Sequence, residues 1–155
     1  MCKFKSALLL RNGDMLWSEW TDSHEDLIAL HDLDDTRSPI DHARSFIRLE
    51  FYPESELKLA MPEKYILHVD GERPSWADDL LDKAEEDMRR IIQRMVVHGK
   101  RKMLCGGQFI LAGDADVKLV KNANISAMLG SSKVGTMRDS SKVGEMRDSS
   151  NVGAM

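Results

Sequence analysis

Two cysteines in 155 residues, Cys2 and Cys105, are too few for a disulfide framework, which suits a reducing cytoplasm. No apolar run approaches the length of a membrane-spanning helix. The opening MCKFKSALLLRNGD has neither the apolar core nor the small-residue cleavage site of a secretory leader. These absences predict a cytoplasmic chain with no membrane association. A concentrated positive charge is also missing. The formal net charge is −4, with 16 basic and 21 acidic residues over 1–105 and 6 basic and 5 acidic over 106–155. No basic stripe runs along the chain, so direct nucleic-acid binding is not expected.

Catalytic signatures are absent as well: no nucleophile elbow, no phosphate-cradling glycine loop, no HExxH and no CxxC. The five histidines are scattered without ligand spacing, so neither a metal nor a cofactor is expected. Cys105, beside Gly106 and Gly107 and near Lys100, Arg101 and Lys102, is the one nucleophile worth testing. A thiol needs a base or a positive environment to ionise, and a plain hinge cysteine is the simpler reading. The chain is expected not to be an enzyme.

What the sequence does hold is a tandem repeat. From Ser131 onward it reads SSKVGTMRD, SSKVGEMRD, SSNVGAM, with Val134, Val143 and Val152 in register and Met137, Met146 and Met155 likewise. Looser copies precede it around Val117–Val120 and Ile125–Met128. A fixed short period marks a solenoid, whose units bury their apolar face only by stacking. Nine residues are too few for a helix and a connector, and the RDSS run favours turns, so each unit reads as a short strand plus a turn. Residues 106–155 are therefore expected to form a short right-handed β-solenoid. Two units per coil are preferred over three, and Val117, Ile125, Val134, Val143 and Val152 form the core column. Calcium-binding nonapeptides need a Gly-Gly-x-Gly-x-Asp pattern that these units lack. Val152 and Met155 stand in core register with no polar cap after them. The expected consequence is a homodimer through the solenoid, centred on Val152 and Met155 with Val143 and Met146 at its rim.

Residues 1–105 read as an acidic α+β domain of order ββαββα. Strands are expected over Lys3–Arg11 and Met15–Trp20, joined by a type I′ turn at Asn12–Gly13, with one of Trp17 and Trp20 in the core. A helix follows over Thr21–His31, with Ser23 and Asp26 as its capping box and His24 and His31 at the surface or its boundary. The loop holding Asp32, Asp34, Asp35 and Asp41 lacks the spacing of an EF-hand and reads as a solvated acidic loop. Strands over Phe46–Tyr52 and Lys64–Asp70 lead to a long helix from Trp76 to about His98, capped by Ser75 and stopped at Gly99. Lys100–Gly107 reads as a linker. Asp32, Asp34 and Asp35, with Asp78, Asp79 and Asp82 at the start of the long helix, make up a candidate partner surface.

The segments CKFKSALLL, DSHEDL, FIRLEFYPE and ERPSW, together with tails of the type SSKVGTMRD, resemble uncharacterised accessory proteins of bacteriophages and mobile elements of gut bacteria. The resemblance covers nearly the whole chain and carries over no catalytic residue. It implies an N-terminal α+β domain, a short-repeat tail and a role in the host cytoplasm. Small accessory phage proteins commonly act on host machinery, including defence systems such as CRISPR. Three functions stay open: a non-enzymatic inhibitor that binds a host protein or nucleoprotein; a structural or oligomerisation module; and a small enzyme.

Overall fold

A computed structural model describes residues 4–34 and 45–155. The chain forms two compact units. One is built from the residues up to Lys58 with Pro62–Arg90, the other from Leu59–Met61 with Ile91–Met155. The first is mixed α+β; the second winds a β-solenoid of about three turns over residues 96–154.

In the first unit the alternating segment FIRLEFYP forms β3 (Phe46–Pro53), the centre of an antiparallel sheet. It pairs with β1 (Lys5–Leu10) on one side and β4 (Tyr65–Asp70) on the other, and β2 (Met15–Leu16) lies outside β1. The register places Ala7 opposite Leu49 and Leu9 opposite Ile47, so these residues share a face with Phe51 and Tyr65. Helix α2 (Asp78–Met95) covers that face. Its Leu81, Ala84 and Met88 stripe is buried, as is Ala77 just before it, and Arg89 lies 5.6 Å from the Phe51 ring while donating to Pro62 O at 2.6 Å. Arg89 thus ties the helix to the start of β4 as well as pairing with Glu85. Helix α1 (His24–Leu30) covers the other face through Leu27 and Ile28, which pack with Leu8 and Phe46. Helices on both sides bury β1 almost completely, which removes the alternation expected of a half-exposed strand.

Several local details differ from the sequence reading. At Asn12–Gly13 only the glycine has positive φ (91°), and Gly13 N donates to Leu10 O at 2.9 Å. The loop is a three-residue turn closed by Gly13, because the Asn12 side chain accepts from Asp14 N and so holds its own backbone out of the left-handed region. β2 stops at Leu16, and neither tryptophan enters the core: Trp17 is half-buried and Trp20 is 71% exposed. Trp17 instead lies 5.7 Å from Lys5 Nζ. Lys5 is fully buried, and its charge is met by Ser18 O at 2.6 Å and Asp22 at 2.9 Å, as a buried cation requires.

Ser23 caps α1 by accepting from Asp26 N, but the reciprocal arm is missing. Thr21 donates to the Asp26 carboxylate and accepts from Ser23 N instead, compensating for the short aspartate. Its neighbour Glu25 is held below the usual carboxylate range, first by its own backbone N–H and then by Ser23. Burial pushes the Tyr65 phenol well up, against Phe51 and Phe4. Ser75 opens a 3-10 turn (Ser75–Ala77) and does not cap α2. The helix ends at Met95, because the β-branched pair Val96–Val97 goes into a strand. Asp35 and Asp41, like Cys2, lie outside the described residues.

The solenoid has two parallel sheets. One contains β6 (Lys100–Cys105), β8 (Asp116–Lys121), β10 (Lys133–Arg138) and β12 (Asn151–Ala154). The other contains β5 (Val96–Val97), β7 (Gln108–Leu111), β9 (Asn124–Met128) and β11 (Lys142–Val143). Successive units alternate between the sheets, so each coil holds two. Lys133 pairs with Asn151 and Asn124 with Lys142, both eighteen residues on. The coils begin at Val96. The segment expected to be a linker is strand β6 and its turn, and Gly99 closes a corner between β5 and β6 without capping a helix.

Val117, Ile125 and Val134 are completely or almost completely buried, whereas Val143 and Val152 are half-buried and pack against the same core. Met137 is buried too, although it lies three residues from Val134 and a regular strand alternates every two. The pairing explains this. It passes from Val134–Val117 to Thr136–Leu119 and steps over Gly135, so the strand bends and returns Met137 to the inside. At the bend the coils approach closely. A Cβ on Gly135 would stand 2.8 Å from Lys118 O, and Gly144 and Gly153 face Ser126 O and Gly135 O at the same distance. The corners are equally regular. Asn122 and Asp139 form one left-handed column and Gly130 and Asp148 another. Asp148 accepts from Gly130 N at 2.9 Å across the coils, so the aspartates of RDSS act as turn residues.

Candidate functional site

The expected acidic surface does not assemble as one patch. Asp32 and Asp34 follow α1, while Asp78, Asp79 and Asp82 begin α2, and those helices cover opposite faces of the sheet. All five are exposed, and Asp78 is paired with Arg73 at 2.6 Å. The proposed dimer residues do share one coil. Met146 is 45% and Met155 86% exposed, beside half-buried Val143 and Val152. Cys105 is exposed at the end of β6, opposite Lys121.

One grouping of like charge among the described residues escapes linear reading. Lys100, Arg101 and Lys102 on β6, Lys118 and Lys121 on β8, and Lys133 and Arg138 on β10 are all exposed on strands of one sheet. Asp116 is the one acidic residue on those strands. The register sets Arg101 in line with Val117 and Val134, the inward column. The other six share the outward side, and with adjacent strands about 4.8 Å apart and six residues extending about 20 Å they form a small, rigid wall. Along the chain they fall in groups sixteen or seventeen residues apart, so no stripe appears until the coil stacks them. Asp116 lies between Lys100 and Lys133, and Asp139 reaches Lys121 at 3.7 Å. Lys121 nevertheless faces Arg138 directly. Like charges opposite each other destabilise a sheet, so the fold alone gives no reason for this pairing. Thr136, Leu119 and Met103 fill the row between the cations, with Met103 52% exposed. No aromatic residue lies on these strands.

A second grouping lies on the α1 side of the first unit's sheet. His24, Leu27 and Ile28 are spaced to share one helix face, which buries His24 to 3% exposure. This corrects the expectation of a surface or boundary histidine: its spacing matches the apolar stripe that anchors α1. His24 Nε2 lies 2.9 Å from Leu49 O, and Nδ1 lies 3.9 Å from an Asp70 carboxylate oxygen. With Glu50 these residues offer three ligand atoms all within 4.8 Å of one another. No spacing rule in the sequence connects positions 24, 50 and 70, which only the sheet register brings together.

No helix among the described residues is long and apolar enough to cross a membrane. Compared with known proteins, the chain matches no family model, and neither a curated protein nor a solved structure is significantly similar to it.

Proposed function

We propose that the protein is a non-enzymatic binding protein that occludes a nucleoprotein by laying the cationic solenoid wall against its phosphate backbone. The observation that supports this is the six exposed cations set against Asp116 on the outward side of one sheet. Lysine-rich surface with little apolar area is depleted at protein–protein contacts and suits phosphate contact. The lack of aromatic side chains on the wall disfavours stacking of single-stranded bases and favours a duplex backbone. The resemblance to phage accessory proteins supplies the context, an inhibitor acting in the host cytoplasm with a defence complex among its targets. In this reading the ββαββα unit carries the wall, and the coil is right-handed, as parallel crossovers favour.

Fluorescence anisotropy with a labelled duplex of arbitrary sequence tests the proposal. Engagement of four or five phosphates gives a slope of log K against log salt of about −4. The triple variant Lys118→Glu, Lys121→Glu, Arg138→Glu is expected to bind at least tenfold more weakly, while Asp78→Asn with Asp79→Asn binds as wild type. Equal binding by the wall triple, or none at low salt, would overturn it.

A second reading, self-association, is favoured by one observation: Met146 and Met155 are exposed together on the coil of β11 and β12. In that reading a two-fold dimer covers them along with Val143 and Val152. Light scattering should show a dimer that Val152→Lys splits; a wild-type monomer at micromolar concentration rejects it.

A further inference from the structure

We infer that His24, Glu50 and Asp70 form a divalent transition-metal site that fastens the start of α1 to strands β3 and β4. Each ligand comes from a different element. His24 is the first residue of α1, Glu50 sits in mid-β3, and Asp70 closes β4. The sheet register puts Arg48 opposite Asp70 and Glu50 opposite His68, so both carboxylates project from the face that α1 covers.

The imidazole is oriented for ligation. Nε2, 2.9 Å from the Leu49 carbonyl oxygen, can only donate there, which leaves Nδ1 as the lone-pair nitrogen on the carboxylate side. A ring N–H given to a backbone carbonyl is the usual outer support of a metal-bound histidine, fixing both tautomer and ring plane. The 3.9 Å from Nδ1 to the Asp70 oxygen is beyond hydrogen-bond reach. It does fall within the range of about 3–4 Å that separates two ligand atoms each bound at about 2.1 Å to a common ion. The remaining gaps, all within 4.8 Å, close by rotation of the Glu50 and Asp70 side chains, which are half-buried and exposed.

The donor set selects the ion. One imidazole nitrogen and two carboxylate oxygens suit Zn²⁺, Co²⁺ or Mn²⁺, whereas Mg²⁺ and Ca²⁺ prefer all-oxygen shells. Three protein ligands leave at least one position for water. Arg48 beside Asp70 lowers the local negative charge and restrains affinity.

Isothermal titration of chelator-washed protein with ZnCl₂ tests the site, with Cys2→Ser and Cys105→Ser in the background to remove thiolate binding. One zinc per chain is expected, together with a rise in Tm that MgCl₂ does not reproduce. Asp70→Asn should bind at least tenfold more weakly, and Glu50→Gln with Asp70→Asn should lose both the heat and the Tm rise. These carboxylates are not core residues, so the double variant should fold even where a His24 variant does not. Its apo Tm and far-UV spectrum, matched to wild type, establish that. Absence of zinc binding, or binding unchanged in the double variant, would overturn the inference.

Discussion

Substituting Gly135 by alanine isolates what holds the solenoid at its observed spacing. The glycine has ordinary negative φ, so no backbone strain arises, and the effect is one of contact alone. The new Cβ would stand 2.8 Å from Lys118 O and 3.5 Å from Lys118 C and Cα. Backbone atoms cannot rotate away, so the coils must separate locally by about 0.6 Å to restore an ordinary contact. The nearby bond from Lys133 N to Ala115 O, now 2.7 Å, would lengthen with them. Overpacking of this kind costs about 1–3 kcal/mol. The lower chain entropy of unfolded alanine offsets about 0.4–1 kcal/mol of that. From the middle of those ranges the net loss is about 1.3 kcal/mol, and at about 2–4 °C per kcal/mol for a chain of this size Tm falls by about 3–5 °C. Differential scanning calorimetry is the assay. Gly153→Ala should cost less, because β12 pairs with β10 alone and can yield outward. An unchanged or higher Tm for Gly135→Ala would show that the close approach does not constrain the residue.

Burial along the valine column should be graded. Val134→Asp puts an unpaired charge among fully buried neighbours and is expected to cost several kcal/mol, enough to abolish the cooperative transition of the solenoid. Val143→Asp, at a half-buried position, should lower Tm without abolishing it, and equal behaviour of the two would contradict the column. Asp139→Asn and Asp148→Asn should leave Tm within a degree or two of wild type, since asparagine tolerates φ near +57° and makes the same turn bonds. A substantial gain in Tm with calcium for wild type would show that these aspartates are ligands.

The later coils are legible because their units keep a constant period of nine: Val134, Val143 and Val152 mark an eighteen-residue coil directly. The first coils are not. Val96 pairs with Ile110 fourteen residues on, and Lys100 with Asp116 sixteen on. That drift breaks the period, and Lys100–Lys102 mask the single buried residue of β6, Leu104. The cationic wall was hidden for a related reason, because its members are neighbours across coils and distant along the chain. In the first unit, strands that bury one face were plain from alternation. β1 was harder to place by face, with Lys5 as buried as Leu9. His24 is expected at the surface or its boundary by residue type, yet it stands one turn ahead of Leu27 and Ile28 and is buried with them.

The alternation of repeat units between two sheets imposes a parity on how such a gene can lengthen. Inserting or deleting a single nonapeptide would send every later unit to the opposite wall. Deleting the unit carrying Thr136, for example, would put the one carrying Glu145 and its partner Arg147 in its place and set a carboxylate on the wall of lysines. Changes of two units preserve each residue's wall and column. Duplications in this region are therefore compatible with the charge pattern only in steps of a whole coil, and homologues of different length should differ by even numbers of units.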